Sequence, residues 1–191
     1  MKLNRVRVIG GAWRSRILSF PDQQELRPTP DRVRETLFNW LGQDLSGRRC
    51  LDLFAGSGAL GFEAASRGAN EVLMVERGRA ACAALEANRV ALGATQVKIV
   101  RADALDFLRG GRGVYDVVFL DPPFAARLWD TLFACLPPWL SAGAMVYCES
   151  GDRPLAPAGW EIHRQGRAGH VNYQLLKRTT HDDQGDLSRN I

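Results

Sequence analysis

The strongest constraint on the fold is an alternation that starts at Cys50. Apolar runs of strand length, Cys50–Phe54, Glu71–Glu76, Val97–Val100, Tyr115–Leu120 and Ala144–Cys148, are separated by segments of helical character. Those segments run from Ala59 to about Arg67, from Arg79 to Leu92 with Gly93 as a stop, from just after Asp103 to Arg109, and from about Arg127 to Leu136. A strand followed each time by a helix that crosses back predicts parallel strands with helices on both faces of one sheet. Two more runs, Trp160–Arg164 and Val171–Lys177, joined by a loop at Gly166–Gly169, add an antiparallel pair. The expectation is an α/β fold with a mostly parallel seven-stranded sheet that ends in two antiparallel strands. With 46% hydrophobic residues in 191, the chain can bury one such core and carry a small appendage.

The appendage is the stretch 1–42, ahead of an α/β domain at 43–178 and a polar, aperiodic tail, 179–191, that reads as disordered. Runs Arg5–Ile9 and Arg16–Phe20 flank Gly10-Gly11-Ala12 and predict a short hairpin. In the following Arg27-Pro28-Thr29-Pro30-Asp31, Thr29 reads as an N-cap, Pro30 as the first helical residue and Asp31 as an acid at the positive end of the dipole. Val33, Leu37, Trp40 and Leu41 share one face of that helix, and Gly42 ends it. Arg32 and Arg34 point away from that face, into solvent or toward a ligand. The first twenty residues hold Lys2, Arg5, Arg7, Arg14 and Arg16 and no acid, although the whole chain carries only +4. Only three of the 25 basic residues are lysines, a bias that genome composition also produces, but guanidinium forks suit phosphate. Arg5, Arg7, Arg14, Arg16, Arg27, Arg32 and Arg34 are therefore the candidate contacts to a polyphosphate partner.

Gly56-Ser57-Gly58-Ala59-Leu60-Gly61 is a G-x-G-x-x-G loop between a strand and a helix, and Glu76, at the end of the next strand, is placed to hold two ribose hydroxyls. The pattern alone also admits a nicotinamide or flavin dinucleotide. Asp52 shifts the balance, because its carboxylate repels a pyrophosphate and attracts the ammonium and sulfonium of S-adenosylmethionine. Asp103 is placed for an adenine amino group, although it also reads as a solvated strand-end acid, and Asp52 as a helix cap. The candidate cofactor contacts are Asp52, Phe54, Ala55, Gly56, Ser57, Gly58, Glu76 with its neighbour Arg77, Asp103 with its neighbour Ala104, and Asp121. That last acid opens the run Asp121-Pro122-Pro123-Phe124. Two prolines donate no backbone hydrogen bond and cannot continue a strand, so they hold a stiff loop with an acid at one end and a ring at the other. Such a frame suits a flat, hydrogen-bonding nucleobase. In a doubly wound sheet the first and fourth strands are neighbours, so both loops should face one crevice.

Asp52-Leu53-Phe54-Ala55-Gly56-Ser57-Gly58 together with Asp121-Pro122-Pro123-Phe124 resembles the class I S-adenosylmethionine-dependent amino-methyltransferases, whose fold is Rossmann-like. More narrowly, Arg7-Val8-Ile9-Gly10-Gly11-Ala12-Trp13-Arg14, Arg27-Pro28-Thr29 and the run Asp31 to Leu41 resemble the bacterial 16S rRNA guanine-N2 methyltransferase family of the small subunit. The resemblance extends from about Arg5 to Leu176. It implies methyl transfer from S-adenosylmethionine to the N2 amine of guanine 966 in 16S rRNA. It also implies an assembling or complete small subunit as partner, and a cytoplasmic monomer that needs no metal. Asp121 and the Pro122 carbonyl would accept hydrogen bonds from the amine, Pro123 would stiffen the loop, and Phe124 would stack on the purine. Many relatives acting on amino groups carry tyrosine where this chain has Phe124, so stacking is kept and no role falls to a hydroxyl.

Three other readings compete. A DNA adenine amino-methyltransferase shares the acid-Pro-Pro-aromatic loop but usually needs a target-recognition domain, for which only some forty N-terminal residues are spare. A dinucleotide-dependent oxidoreductase leaves Asp52 and the Asp121 loop unexplained. A catalytically silent RNA-binding module conflicts with both acids being intact. Cys50, Cys82, Cys135 and Cys148 show no C-x-x-C spacing, which disfavours a disulfide framework or structural zinc and fits a reducing cytosol. No run reaches the ~18–20 apolar residues of a membrane span, and Met1–Arg5 lacks the apolar core of a signal peptide.

Overall fold

The computed structural model describes residues 3–22, 28–123, 128–151 and 158–179. Its N-terminal part comprises strands β1 (Leu3–Arg7) and β2 (Ile17–Pro21) and helix α1 (Asp31–Trp40). There follow β3 (Arg49–Asp52), α2 (Ala59–Ser66), β4 (Glu71–Glu76), α3 (Arg79–Leu92), β5 (Val97–Arg101), α4 (Ala104–Arg109) and β6 (Tyr115–Leu120). The chain closes with α5 (Trp129–Cys135), β7 (Leu140–Ser150), β8 (Trp160–Ala168) and β9 (Val171–Arg178). β1 and β2 pair as an antiparallel hairpin, and the other seven strands form one sheet in the order β5-β4-β3-β6-β7-β9-β8. Strands β3 to β7 are mutually parallel, and β9 inserts antiparallel between β7 and β8. The order reverses between β3 and β6, which are neighbours, so the crevice expected from the sequence lies at their carboxyl ends.

Side chains alternate across each strand and so sort the core into two layers. Cys50, Met74, Phe119 and Tyr147 lie on the face covered by α1, α2, α3 and the hairpin, whereas Leu51, Val75, Val118, Leu120 and Cys148 lie under α4 and α5. The N-terminal extension is part of the first layer: Val6, Val8, Leu18 and Phe20 of the hairpin join Val33, Leu37 and Phe38 of α1 in the same apolar cluster as Phe62 and Phe119. The turn of the hairpin is locked to the end of α2. Ser66 Oγ donates to the Gly10 carbonyl (2.6 Å) and accepts from the Trp13 amide (2.9 Å). Gly11 has φ +73°, and a Cβ there would lie 1.9 Å from the Ser66 carbonyl oxygen, so only glycine allows this approach.

Five expectations need correction. Helix α1 begins at Asp31 with Pro30 as its N-cap: the Pro30 carbonyl accepts from the amides of Val33 and Arg34, and the Thr29 hydroxyl is used elsewhere. The first strand of the α/β unit ends at Asp52, since residues 53–54 already turn into the glycine loop. Strand β7 begins at Leu140, four residues before the apolar run, and β8 and β9 meet in a tight turn at Gly169-His170 rather than a loop over 166–169. Gly166 stays in the strand because the Tyr173 ring of the facing strand packs directly on it.

The fifth correction concerns Arg34, which is fully buried and makes no surface for a polyanion. Helix α2 is buried along its whole length, including Glu63, and a buried carboxylate demands a cation. Arg34 supplies it. Its guanidinium donates to Glu63 Oε2 (3.4 Å), Asp31 Oδ1 (2.6 Å), the Arg7 carbonyl (2.9 Å) and the Thr29 carbonyl (3.2 Å). Glu63 also accepts from Arg67 Nε (2.9 Å) and from the Ile9 amide (2.8 Å). Arg34 therefore belongs to the buried side of α1 with Val33, Leu37 and Phe38, while Arg32, Glu35 and Asn39 face solvent.

Candidate active site

The glycine loop is held from three sides. Gly56 and Gly58 have φ of +50° and +79°, and a Cβ on Gly58 would stand 2.6 Å from Leu85 Cδ2, so the turn requires glycine for both conformation and space. Glu76, at the tip of β4, accepts from the Gly56 amide with Oε2 (3.0 Å) and from the Gly78 amide with Oε1 (2.6 Å). It thus braces the loop against the next turn and keeps one lone pair on each oxygen. From below, Asp52 Oδ2 accepts from the Gly61 amide (3.2 Å) in the first turn of α2, and the carboxylate is also bonded to the Phe54 amide. Asp52 thus ties the first turn of α2, whose N-cap is Gly58, to the end of β3 beneath the loop. Ser57 Oγ accepts from Ala59 N (3.3 Å). Asp103 is the N-cap of α4, its Oδ1 accepting from Leu105 and Asp106, and its side chain is exposed at the crevice end of β5.

Strand register brings a second group together. Asp52 pairs with Phe119 and Phe119 with Tyr147, so Asp52, Phe119 and Tyr147 form a row across β3, β6 and β7. One pleat further on, Asp121 and Glu149 project from the same face on adjacent strands, roughly 5 Å apart at the backbone. Glu149 is buried and accepts from Tyr147 Oη (2.9 Å) and from the Thr29 hydroxyl. No ion pair among the described residues reaches Asp52, Asp121 or Glu149. Removal from water, strengthened by Glu76 and Glu149, pushes the Asp52 carboxyl up to about 7. Desolvation and the charges of Glu149 and Asp52 raise Asp121 well above the usual carboxylate range. Glu149 is raised by burial despite its two hydroxyl donors, and Tyr147 is raised by burial and by Glu149. A site that gathers uncompensated carboxylates is built to receive positive charge.

With this geometry in place, comparison with known proteins becomes informative. Residues 6–177 match the family model described as "Conserved hypothetical protein 95". The Escherichia coli protein named Ribosomal RNA small subunit methyltransferase D is 44% identical over 179 residues, covering 91% of this chain and 90% of that one. Its namesake from Haemophilus influenzae is 41% identical over 180 residues, 90% of this chain and 93% of the relative. The chain belongs to this family. A solved E. coli structure described as the methyltransferase yhhF superposes with a TM-score of 0.82 at 43% identity, over 93% of this chain and 99% of that one, so the sheet is that of a Rossmann-like methyltransferase.

Within the family fold, the predicted positions fall into groups. Asp52, Ala55, Gly56, Ser57 and Gly58 line or underlie the loop, with Phe54 half-buried beside it. Glu76 braces it, while Arg77 is exposed next to it. Ala104 is buried as the first residue of α4. Asp121 is half-buried at the crevice, Pro122 buried and Pro123 exposed. Phe124 and Arg27 lie outside the described residues. Arg5, Arg7, Arg14, Arg16 and Arg32 are exposed, but not in one place. Arg14 and Arg16 sit at the hairpin turn beside the C-terminal ends of α2 and α3, where Arg16 donates to the Ala91 carbonyl (3.1 Å), away from the crevice. Arg5 and Arg7 line a pocket of about 320 Å³ with Pro28, Thr29, Pro30 and Asp31. Its wall includes Thr29, the partner of Glu149, which puts this pocket next to the acidic row. The sequence reading passed over Glu149, Tyr147 and Thr29. The available signal was positional: Glu149 ends the strand beside Asp121, at the same crevice.

Proposed function

We propose that the protein methylates the exocyclic N2 amine of guanine 966 in 16S rRNA, with S-adenosylmethionine as donor. The observation that carries this reading is the cluster of carboxylates with no cation partner among the described residues, buried Asp52 and Glu149 and half-buried Asp121, set at the switch point beside the stiff Pro122-Pro123 turn. Together with the names of the relatives, this favours a cationic cofactor and an amine substrate over a dinucleotide, whose pyrophosphate these acids would repel. S-adenosylmethionine supplies an electrophilic methyl group on a sulfonium. The backbone of Gly56–Gly58 and Asp52 would hold its amino-acid end, the free lone pairs of Glu76 its ribose, and Asp103 Oδ2 its adenine amine. The guanine amine is a weak nucleophile because its lone pair is spread into the ring. Hydrogen bonds to the Asp121 carboxylate and the Pro122 carbonyl favour its pyramidal form and stabilise positive charge growing on nitrogen. The base reaches the crevice only when it is unpaired or turned out of its stack. The deciding experiment offers the protein small subunits from a strain lacking this activity and identifies the methylated nucleoside by mass spectrometry. Methylation at any other base, or at none, refutes the assignment.

The structure sharpens two predictions about the parts. Glu76→Ala removes a ribose partner and also both braces of the glycine loop. Cofactor binding should weaken by about 1.5–3 kcal/mol, or roughly tenfold to over a hundredfold, by calorimetry on the folded variant. Unchanged affinity would show that Glu76 is only a strand-end acid. For the RNA, docking falls to the pocket side of the hairpin. The double variant Arg5→Gln/Arg7→Gln should raise KM for the subunit and reduce the salt slope of binding by about one to two log units, roughly one per lost phosphate contact. Arg14→Gln/Arg16→Gln, at the far end, should do markedly less. Equal effects from the two pairs would contradict a docking surface centred on the pocket.

A further inference from the structure

Glu149 has no part in the chemistry just described, yet its surroundings are specific. It projects beside Asp121 from the adjacent strand on the same face. It is buried, and two hydroxyls point at it, one from its own strand (Tyr147, 2.9 Å) and one from the segment that leads into α1 (Thr29). Among the described residues no comparable donor reaches Asp121, and burial and the charges of Glu149 and Asp52 oppose its ionisation. Two carboxylates side by side with unequal partners divide their roles, the better-bonded one keeping its charge and the other keeping the proton.

We propose, resting on the methyl-transfer reading above, that Glu149 is a positioning residue: clamped by Tyr147 and Thr29, it holds a fixed negative charge beside Asp121 and thereby sets how strongly Asp121 binds the proton released by the substrate amine. In the transfer step a C–N bond forms as the C–S bond breaks, the electron pair of that bond staying on sulfur. The methylated nitrogen is then cationic, its N–H bond breaks, and the proton passes to an Asp121 oxygen and later to solvent. An isolated aspartate, ionised far below neutral pH, would be a poor acceptor, and a charged neighbour makes it a better one. The groups that face the pair are Asp52 on β3, Tyr147 on β7, Tyr173 on β9, and Thr29, whose carbonyl is held by Arg34 of α1, while Glu76 on β4 acts on Asp52. Through Thr29 the same carboxylate also touches the wall of the Arg5–Arg7 pocket, so RNA docking and the acid are linked by one hydrogen bond.

The variant Glu149→Gln tests this, since an amide keeps an oxygen for Tyr147 and removes the charge. Two readouts separate positioning from a merely structural role. In the free protein the carboxylates hold protons that a cationic ligand expels, so calorimetry of S-adenosylmethionine binding in buffers of different ionisation enthalpy should detect proton release near pH 7. In Glu149→Gln that release should fall by about half or more. The acid limb of kcat should also move about one to two pH units lower, because removing the like charge of Glu149 weakens proton binding by Asp121. KM for the subunit should not change. If Glu149→Gln does not fold, Tyr147→Phe serves: with one donor lost, Glu149 is less often charged, and the acid limb should move in the same direction by less, while the proton release should not fall. A folded variant with an unaltered proton count and an unaltered acid limb overturns the proposal. If the wild-type protein binds S-adenosylmethionine but leaves 16S rRNA unmodified, the substrate reading fails, while the proton count still decides the role of Glu149.

Discussion

Asp121→Ala should lower turnover by about two to three orders of magnitude, the usual consequence of removing a preorganised group that meets charge developing in the transition state. The same change should leave the protein as stable as before, or more so. Asp121 stands among like charges, pushed toward its neutral form by burial, Glu149 and Asp52, and alanine relieves that crowding. A site residue whose removal stabilises the fold while abolishing activity marks a position kept for function. S-adenosylmethionine affinity should change by less than about tenfold, which at 1.4 kcal/mol per decade is far below the loss in turnover. Single-turnover kinetics with saturating cofactor, a melting curve and calorimetry together check all three statements. Turnover near the wild-type rate in the folded variant would remove Asp121 from the chemistry and the Asp121-Pro122 pair from the mechanism. A melting temperature well below wild type would instead assign the acid to the fold.

Much of this arrangement was legible from residues alone because it rests on local rules. Strand Glu71–Glu76, helix Arg79–Leu92 with its Gly93 stop, and strand Tyr115–Leu120 are placed as their periodicity dictates. The neighbouring of β3 and β6 followed from the doubly wound strand order, and it joined the glycine loop to the Asp121 turn. What escaped was decided by contacts between segments far apart in the chain. Thr29 has the residue type and position of an N-cap, but its hydroxyl is taken by Glu149, some 120 residues later. Gly166 looks like a loop glycine and is a strand residue under the Tyr173 ring. Strand β7 starts in Leu140-Ser141-Ala142-Gly143, whose composition carries no strand signal; Leu140 pairs with Tyr115 of β6 ahead of a register shift, and Ser141 Oγ donates to Asp116 Oδ1 (2.7 Å). Glu149 was invisible for the same reason: an acid at a strand end is ordinary until the neighbouring strand is known to end in Asp121.

Arg34 shows how a charge can be misplaced when it is read by residue type. A guanidinium on this helix suggests solvent or RNA, so its loss would raise KM and leave stability alone, yet at ~100° per residue it falls between Leu37 and Phe38, inside the buried arc. In the structure it is enclosed between α1, α2 and the hairpin, and Glu63 opposite it is equally buried. Arg34→Ala should therefore destabilise the protein by about 3–5 kcal/mol, the range for removing one partner of a buried ion pair, with the lower end favoured because Arg67 and the Ile9 amide still serve Glu63. For a chain of this size each kcal/mol lowers Tm by about 2–4 °C, so a fall of roughly 10 °C is expected. Arg34→Lys should recover only part of it, since an ammonium cannot reproduce the fork that meets Glu63, Asp31 and two carbonyls at once. Salt should change the loss little, because the pair is shielded from solvent, whereas an RNA-docking arginine would show its effect in KM and lose it at high ionic strength. A thermal melt at two salt concentrations separates the outcomes. If Arg34→Ala melts with the wild type, the hairpin and α1 are not held to α2 through this pair.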